Sequence, residues 1–114
     1  MESTAKAEWQ LNAQIARDTA PVGDLALCRV QVMNDATYPW LMLMPRRAGV
    51  IEIIDLDEPD RAVLMTEISA VAAALKKITG CDKLNIGAIG NLVPQLHIHI
   101  VARRRGDPAW PPHL

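Results

Sequence analysis

Phenylalanine is absent from this chain, tyrosine occurs once and tryptophan three times. A core therefore has to be assembled from Leu, Ile, Val, Met and Ala, with few aromatic rings to spend on it. Cysteine is nearly as scarce. Cys28 and Cys81 are the only two, and neither belongs to a Cys-x-x-Cys pair. That spacing speaks against a disulfide scaffold, and two inert buried thiols in a reducing, cytoplasmic setting are the simplest expectation. A surplus of charge is missing too: the net charge is −1, so no global basic field argues for a nucleic acid partner. No apolar run approaches the length needed to span a bilayer. The opening Met1-Glu2-Ser3-Thr4-Ala5-Lys6 has no apolar core of a secretion signal. The expectation is a soluble intracellular protein with no membrane partner. Internal repeats and low-complexity segments are absent as well.

What is present suits one small domain over residues 1–114: half of the residues are hydrophobic, enough to bury a core at this length. Residues 7–17 carry a helical rhythm, with Leu11 and Ile15 four apart below Ala7, and predict a short helix. Asp18 to Asp24 contains Pro21 and Gly23 and reads as a loop. Leu25 to Met33 alternates weakly, which predicts a strand. Asn34 to Pro39 has turn chemistry. The short, continuously apolar run Trp40 to Met44 is expected to be a strand covered on both faces, and Val50 to Ile54 a further extended piece.

The clearest helix is predicted from about Glu58 to Thr79. Asp57 is its N-cap, Pro59 and Asp60 suit the first turn, Lys76 and Lys77 complement the dipole, and Gly80 stops it. Leu64, Ile68, Val71, Leu75 and Ile78 form one stripe to lay on a sheet, and Ala72-Ala73-Ala74 allows close packing. Asp82 to Ile89 is then a strand, Gly90-Asn91 a tight connection, and Val93 to Ala102 a last strand. Mostly antiparallel strands, about five, under one long helix make an α+β layer.

The stretch that carries chemistry is Gln95-Leu96-His97-Ile98-His99-Ile100-Val101. Period-2 alternation sends Leu96, Ile98 and Ile100 to a core and lines up Gln95, His97 and His99 on the other face. A lone histidine on a strand is usually a packed or surface residue. Two of the protein's three histidines placed two apart on one face point instead to proton transfer, nucleophilic attack or metal binding. A His-x-His metal site needs a third ligand, and neither cysteine is close in sequence.

Asn91-Leu92-Val93-Pro94-Gln95-Leu96-His97-Ile98-His99-Ile100-Val101 resembles the signature of the histidine triad (HIT) superfamily: His, apolar, His, apolar, His, apolar, apolar. Every position matches except the first, where Gln95 stands for His. The likeness extends to Asn85-Ile86-Gly87, Gly90-Asn91 and Trp110-Pro111-Pro112, and more loosely to Trp40 to Arg46, over residues 25 to 112. The resemblance implies a HIT-like fold, a homodimer formed through the long helix and a strand, and a bound purine nucleotide derivative. It implies transfer or hydrolysis at the α-phosphate with no cofactor and no metal. His97 would be the nucleophile, forming a nucleotidyl-histidine intermediate, and His99 would contact the phosphate or assist the leaving group. Gln95 would keep an orienting hydrogen bond. Asn85, Gly90 and Asn91 would contact the ligand, and Asp35 would grip the ribose. The chain departs from the family at Gln95, which cannot titrate near neutral pH, and at Trp40, where many members carry another histidine. A binding or interaction module with weak or lost catalysis stays open beside the enzyme. Two further expectations concern the C-terminal stretch. Arg103-Arg104-Arg105 either steers an anionic ligand or forms a solvated basic edge, and the Trp-Pro-Pro tail either closes over the site or a dimer partner, or docks on the surface. His113 is expected to be exposed.

Overall fold

The computed structural model describes residues 8–112; Ala7, with which the first predicted helix would begin, and His113 lie outside them. Five strands form one antiparallel sheet in the order β1-β2-β3-β5-β4. They are β1 (Thr19–Asp24), β2 (Cys28–Met33), β3 (Trp40–Pro45), β4 (Lys83–Gly87) and β5 (Ile98–Arg103). A short helix α1 (Ala13–Asp18) precedes the sheet, and the long helix α2 (Glu58–Thr79) falls between β3 and β4. The α+β class and the long helix follow the sequence reading.

The termini of α2 are made by the residues read as its caps. The Asp57 carboxylate accepts from Asp60 N at 2.9 Å. Gly80 takes the left-handed conformation with φ 62°, which costs a residue without Cβ least, and donates its N–H to Lys76 O at 2.8 Å. The buried face differs from the expected stripe at one end. Leu64, Ile68, Ala72 and Leu75 are buried, whereas Ile78 is 82% exposed. The buried row advances by steps of four, four and three, and beyond Leu75 it is the partly buried Thr79, not Ile78, that lies on it.

The sheet separates two apolar clusters. One lies under α2 and joins Val30, Leu43, Ile98, Ile100 and Ala102 to Leu64, Ile68 and Leu75. The second, on the opposite face, gathers Ile15, Met42 and Met44 with Trp9, Leu11, Trp40 and Val93. Alternate residues of β3 therefore enter different cores, and a strand covered on both faces is what its continuous apolar run implied.

Five segments depart from the sequence reading. Residues 18–24 were expected to loop, but Thr19–Asp24 pairs with β2. As the edge strand it tolerates Pro21, and a shift of register between Pro21 and Gly23 absorbs the irregularity. The first helix is shorter than 7–17 because Asn12 caps it, accepting from Gln14 N at 2.8 Å. Leu25 to Leu27 is a turn, not the start of β2, closed by Leu25 N donating to Cys28 O at 2.8 Å. In place of an extended 50–54, Ile53–Asp55 forms one 3-10 turn, held by the Asp55 carboxylate on Ile51 N and Glu52 N. Finally, β5 begins at Ile98 and not near Val93, so Gln95 and His97 sit on the approach to the strand. The side-chain alternation nevertheless persists through Leu96, whose N–H donates to Val50 O at 3.0 Å.

Candidate active site

β5 presents His99 on the face away from α2, opposite Met42 of β3 and Gly87 of β4. His97 precedes it on the same side and is buried. The two imidazoles stand edge to face, with centroids 5.0 Å apart and planes at 79°.

Each ring has a partner that decides where its proton resides. His97 Nδ1 lies 2.6 Å from the main-chain carbonyl of Gln95. A carbonyl only accepts, so Nδ1 carries the proton and Nε2 holds a free lone pair. His99 Nδ1 lies 3.0 Å from Trp40 Nε1. An indole only donates, so here Nδ1 is the bare nitrogen and Nε2 is protonated. Burial, followed by the proximity of His97, pushes the His99 pKa down to about 4, so this ring is neutral at neutral pH.

Gly90 closes on the pair. A Cβ built on it would lie 2.5 Å from His97 Nε2, so glycine is required there by close approach. Gly90 also borders two cavities. One, of about 460 Å³, is lined by Trp40, Lys83 to Gly87, Ile89, His99 and Val101; the other, of about 40 Å³, lies beside His97, Gln95 and Glu52. The larger is within the range of small-molecule pockets, and its walls are mainly apolar with a few polar groups.

The residues singled out in the sequence are partly brought together. His97, His99 and Gly90 are in direct proximity, and Asn85 shares the larger cavity with His99 and Gly90. The Gln95 side chain turns away from the histidines. Its carboxamide accepts from Asn12 N at 2.9 Å and donates to Gln10 O at 2.8 Å, so it holds the N-terminal segment as a paired strand would. The orienting contact to His97 comes from the Gln95 main chain. Asn91 is exposed beside Gly90, and Asp35 is exposed in a turn where its Oδ1 accepts from Thr37 N at 2.7 Å. Neither lines the larger cavity.

The basic run is corrected most. Arg103 is 1% exposed, so it belongs neither to a solvated edge nor to a steering patch. Its guanidinium forks onto the Asp107 carboxylate at 2.6 and 2.8 Å and holds Asp107 well below the usual carboxylate range, near pKa 2. The same group donates to Asn85 Oδ1 at 2.8 Å and to Pro112 O at 2.9 Å, with the rings of Tyr38 and Trp110 within 6 Å. The Trp-Pro-Pro tail is thereby docked on its own chain through a buried arginine, and the Asn85 amide is oriented. Arg104 donates to the carbonyls of Thr79 and Gly80 at the end of α2; only Arg105 is left as a simple exposed cation. The Arg103–Asp107 and Trp40–His99 pairs escaped sequence reasoning. The four-residue spacing of the first was the one available signal.

Both cysteines are free and buried, and burial pushes the Cys28 thiol well above its ordinary value. Among the described residues no group of three His, Cys, Asp or Glu side chains is placed to hold a metal ion, and no helix is long and apolar enough to cross a membrane.

An antiparallel α+β sheet that displays a His-x-His pair beside a cavity, His97 buried and His99 half-buried, defines a class of protein. The comparisons agree with it. The family model described as HIT domain matches residues 15–106, and the chain belongs to that family. Among solved structures it is similar to a histidine triad protein from Bradyrhizobium japonicum, with 60% identity and a TM-score of 0.93 over 95% of this chain and 81% of that one. A histidine triad protein from Sinorhizobium meliloti shares 49% identity at TM-score 0.91, covering 93% of this chain and 78% of that one. A third, from Marinobacter aquaeolei, shares 42% identity at TM-score 0.93, covering 95% and 79%. No curated protein matches the sequence.

Proposed function

We propose that this protein is a nucleotide hydrolase or nucleotidyl transferase acting at the α-phosphate of a purine nucleotide derivative, with His97 as nucleophile. The observation that carries the reading is the 2.6 Å contact between His97 Nδ1 and the Gln95 carbonyl, which leaves the lone pair on Nε2. In the proposed reaction Nε2 attacks the α-phosphorus. The bond to the leaving group breaks as the N–P bond forms, and the leaving group departs with the electron pair. The positive charge that develops on the imidazole is shared, through Nδ1–H, with the Gln95 carbonyl. Water then displaces His97, loses a proton to solvent and releases the nucleotide with a free imidazole.

The remaining roles follow the layout. The His99 Nε2–H and the Asn85 amide donate to non-bridging oxygens. Gly90 lets the phosphate approach the main chain, and Asn91 beside it adds an amide. Asp35, with only Oδ1 engaged by Thr37, is assigned the ribose hydroxyls. Gln95 contributes through its position in place of a first triad histidine. Residues 1–114 are read as one domain. A homodimer through α2 and the free edge of β4, in a reducing cytoplasm that suits the two free thiols, completes the proposal.

The test is release of AMP from diadenosine triphosphate and from adenosine 5′-phosphoramidate by wild type, His97→Ala and Gln95→His. Wild-type release from at least one substrate that vanishes in His97→Ala supports the reading. Tight binding of AMP with no release from either makes the protein a nucleotide-binding module instead.

A further inference from the structure

We propose that Trp40 is a positioning residue that locks His99 as a neutral Nε2–H donor, and that this limits the reaction to leaving groups able to depart as anions. The inference rests on the reading above and concerns the leaving group, which that reading leaves open.

The only titratable nitrogen of His99 that could take up a proton is Nδ1, and Trp40 Nε1–H already points at it from 3.0 Å. The rings are 5.6 Å apart and tilted at 58°, with Trp40 held in β3 two places along from Met42, the residue opposite His99. An indole N–H has no lone pair to offer. For His99 to become cationic, Nδ1 would have to bind a proton where another N–H already stands, in a half-buried site beside a second imidazole. The downward shift of its pKa has the same direction.

A neutral His99 with its one proton on Nε2 can donate a hydrogen bond but cannot act as an acid. Giving up that proton would leave an imidazolate, and Trp40 cannot resupply Nδ1 from an indole. The two histidines therefore form a fixed pair: His97 offers a bare nitrogen to phosphorus, and His99 offers an N–H to an oxygen. A phosphoanhydride needs nothing more, because the departing phosphate is a stable anion. An amine joined through a P–N bond leaves as the neutral amine only after gaining a proton, and neither ring has one to give: the His97 Nδ1 proton is engaged on the Gln95 carbonyl. A general acid is worth roughly 10²–10⁴ in rate, so its absence gives the site a preference for phosphoanhydrides over phosphoramidates of about 10²-fold or more.

The test has two readouts. Two-bond proton–nitrogen NMR spectra of the imidazoles should show His99 protonated on Nε2 and His97 on Nδ1 in the wild type, with His99 losing its single tautomer in Trp40→Phe. The ratio of kcat/KM for AMP release from diadenosine triphosphate over that from adenosine 5′-phosphoramidate should be about 10² or more in the wild type. It should fall in Trp40→Phe and Trp40→His, both of which give Nδ1 access to a proton. A wild-type His99 protonated on Nδ1, or a wild type that consumes both substrates equally well, overturns the proposal. If neither substrate releases AMP while the tautomers are as assigned, the hydrolase reading fails and takes the leaving-group preference with it, whereas the hold of Trp40 on His99 stands.

Discussion

Gly90 shows how much one missing carbon decides. The His97 ring cannot retreat from a side chain there, because it is buried and its far nitrogen is held by a carbonyl. Gly90→Ala would place a methyl 2.5 Å from Nε2, below any real contact distance, so the ring or the connection between β4 and β5 must shift. Displacing a reacting group by about 1 Å can cost on the order of 10² in rate. Overpacking of this kind costs stability as well, about 1–3 kcal/mol. We expect Gly90→Ala to remain folded and to lose about 10²-fold in kcat for AMP release. A variant with wild-type kcat would show that Nε2 is not the reacting atom. The pattern of the motif was legible at this scale. Leu96, Ile98 and Ile100 enter the core, and the histidines face away from it, as the alternation implied. Their proton positions were not legible, because Trp40 is 59 residues from His99 in sequence and nothing local marks the pairing.

Among the elements, α2 does more than lie on the sheet. Glu67 is buried on its inner face, and its two carboxylate oxygens accept from Leu27 N and Cys28 N, both at 2.9 Å. The helix thereby satisfies the main chain of the turn between β1 and β2, whose N–H groups would otherwise be stranded against the core. In the sequence Glu67 looks like one more charge on a helix, since its partners are some 40 residues earlier. The caps Asp57 and Gly80 were readable because capping is local chemistry. Glu67→Gln isolates the effect. A carboxamide keeps one acceptor and sets its NH2 against the second N–H, forfeiting a charge-assisted bond. Bonds to charged groups contribute about 1.5–3 kcal/mol. Urea denaturation of Glu67→Gln should show a midpoint lowered by about 2 kcal/mol of stability at unchanged slope. A midpoint equal to that of the wild type would mean that the two bonds add nothing over solvent.

At the scale of the whole molecule, the sheet is asymmetric in how its two edges are finished. β1 is irregular, with Pro21 and a shifted register, features that discourage further pairing. β4 pairs with β5 in unbroken register from Lys83 to Gly87, and its other edge is free among the described residues. Ile86, opposite Ile100, lies on the α2 side of the sheet and is 47% exposed, and on α2 itself Met65 and Ile78 are 62% and 82% exposed. A regular edge flanked by uncovered apolar side chains is costly to leave in water, and the proposed homodimer covers both. The edge is also the wall of the larger cavity, since Lys83 to Gly87 line it beside His99, so assembly and site are linked in space. Sedimentation should therefore give a species of twice 12.5 kDa. Ile78→Lys, which puts a charge on the uncovered face of α2 outside the cavity wall, should shift it toward the monomer and reduce AMP release more at low than at high protein concentration. A wild type that sediments as a monomer at every concentration would remove the dimer from the proposal and leave the chemistry of His97 within one chain.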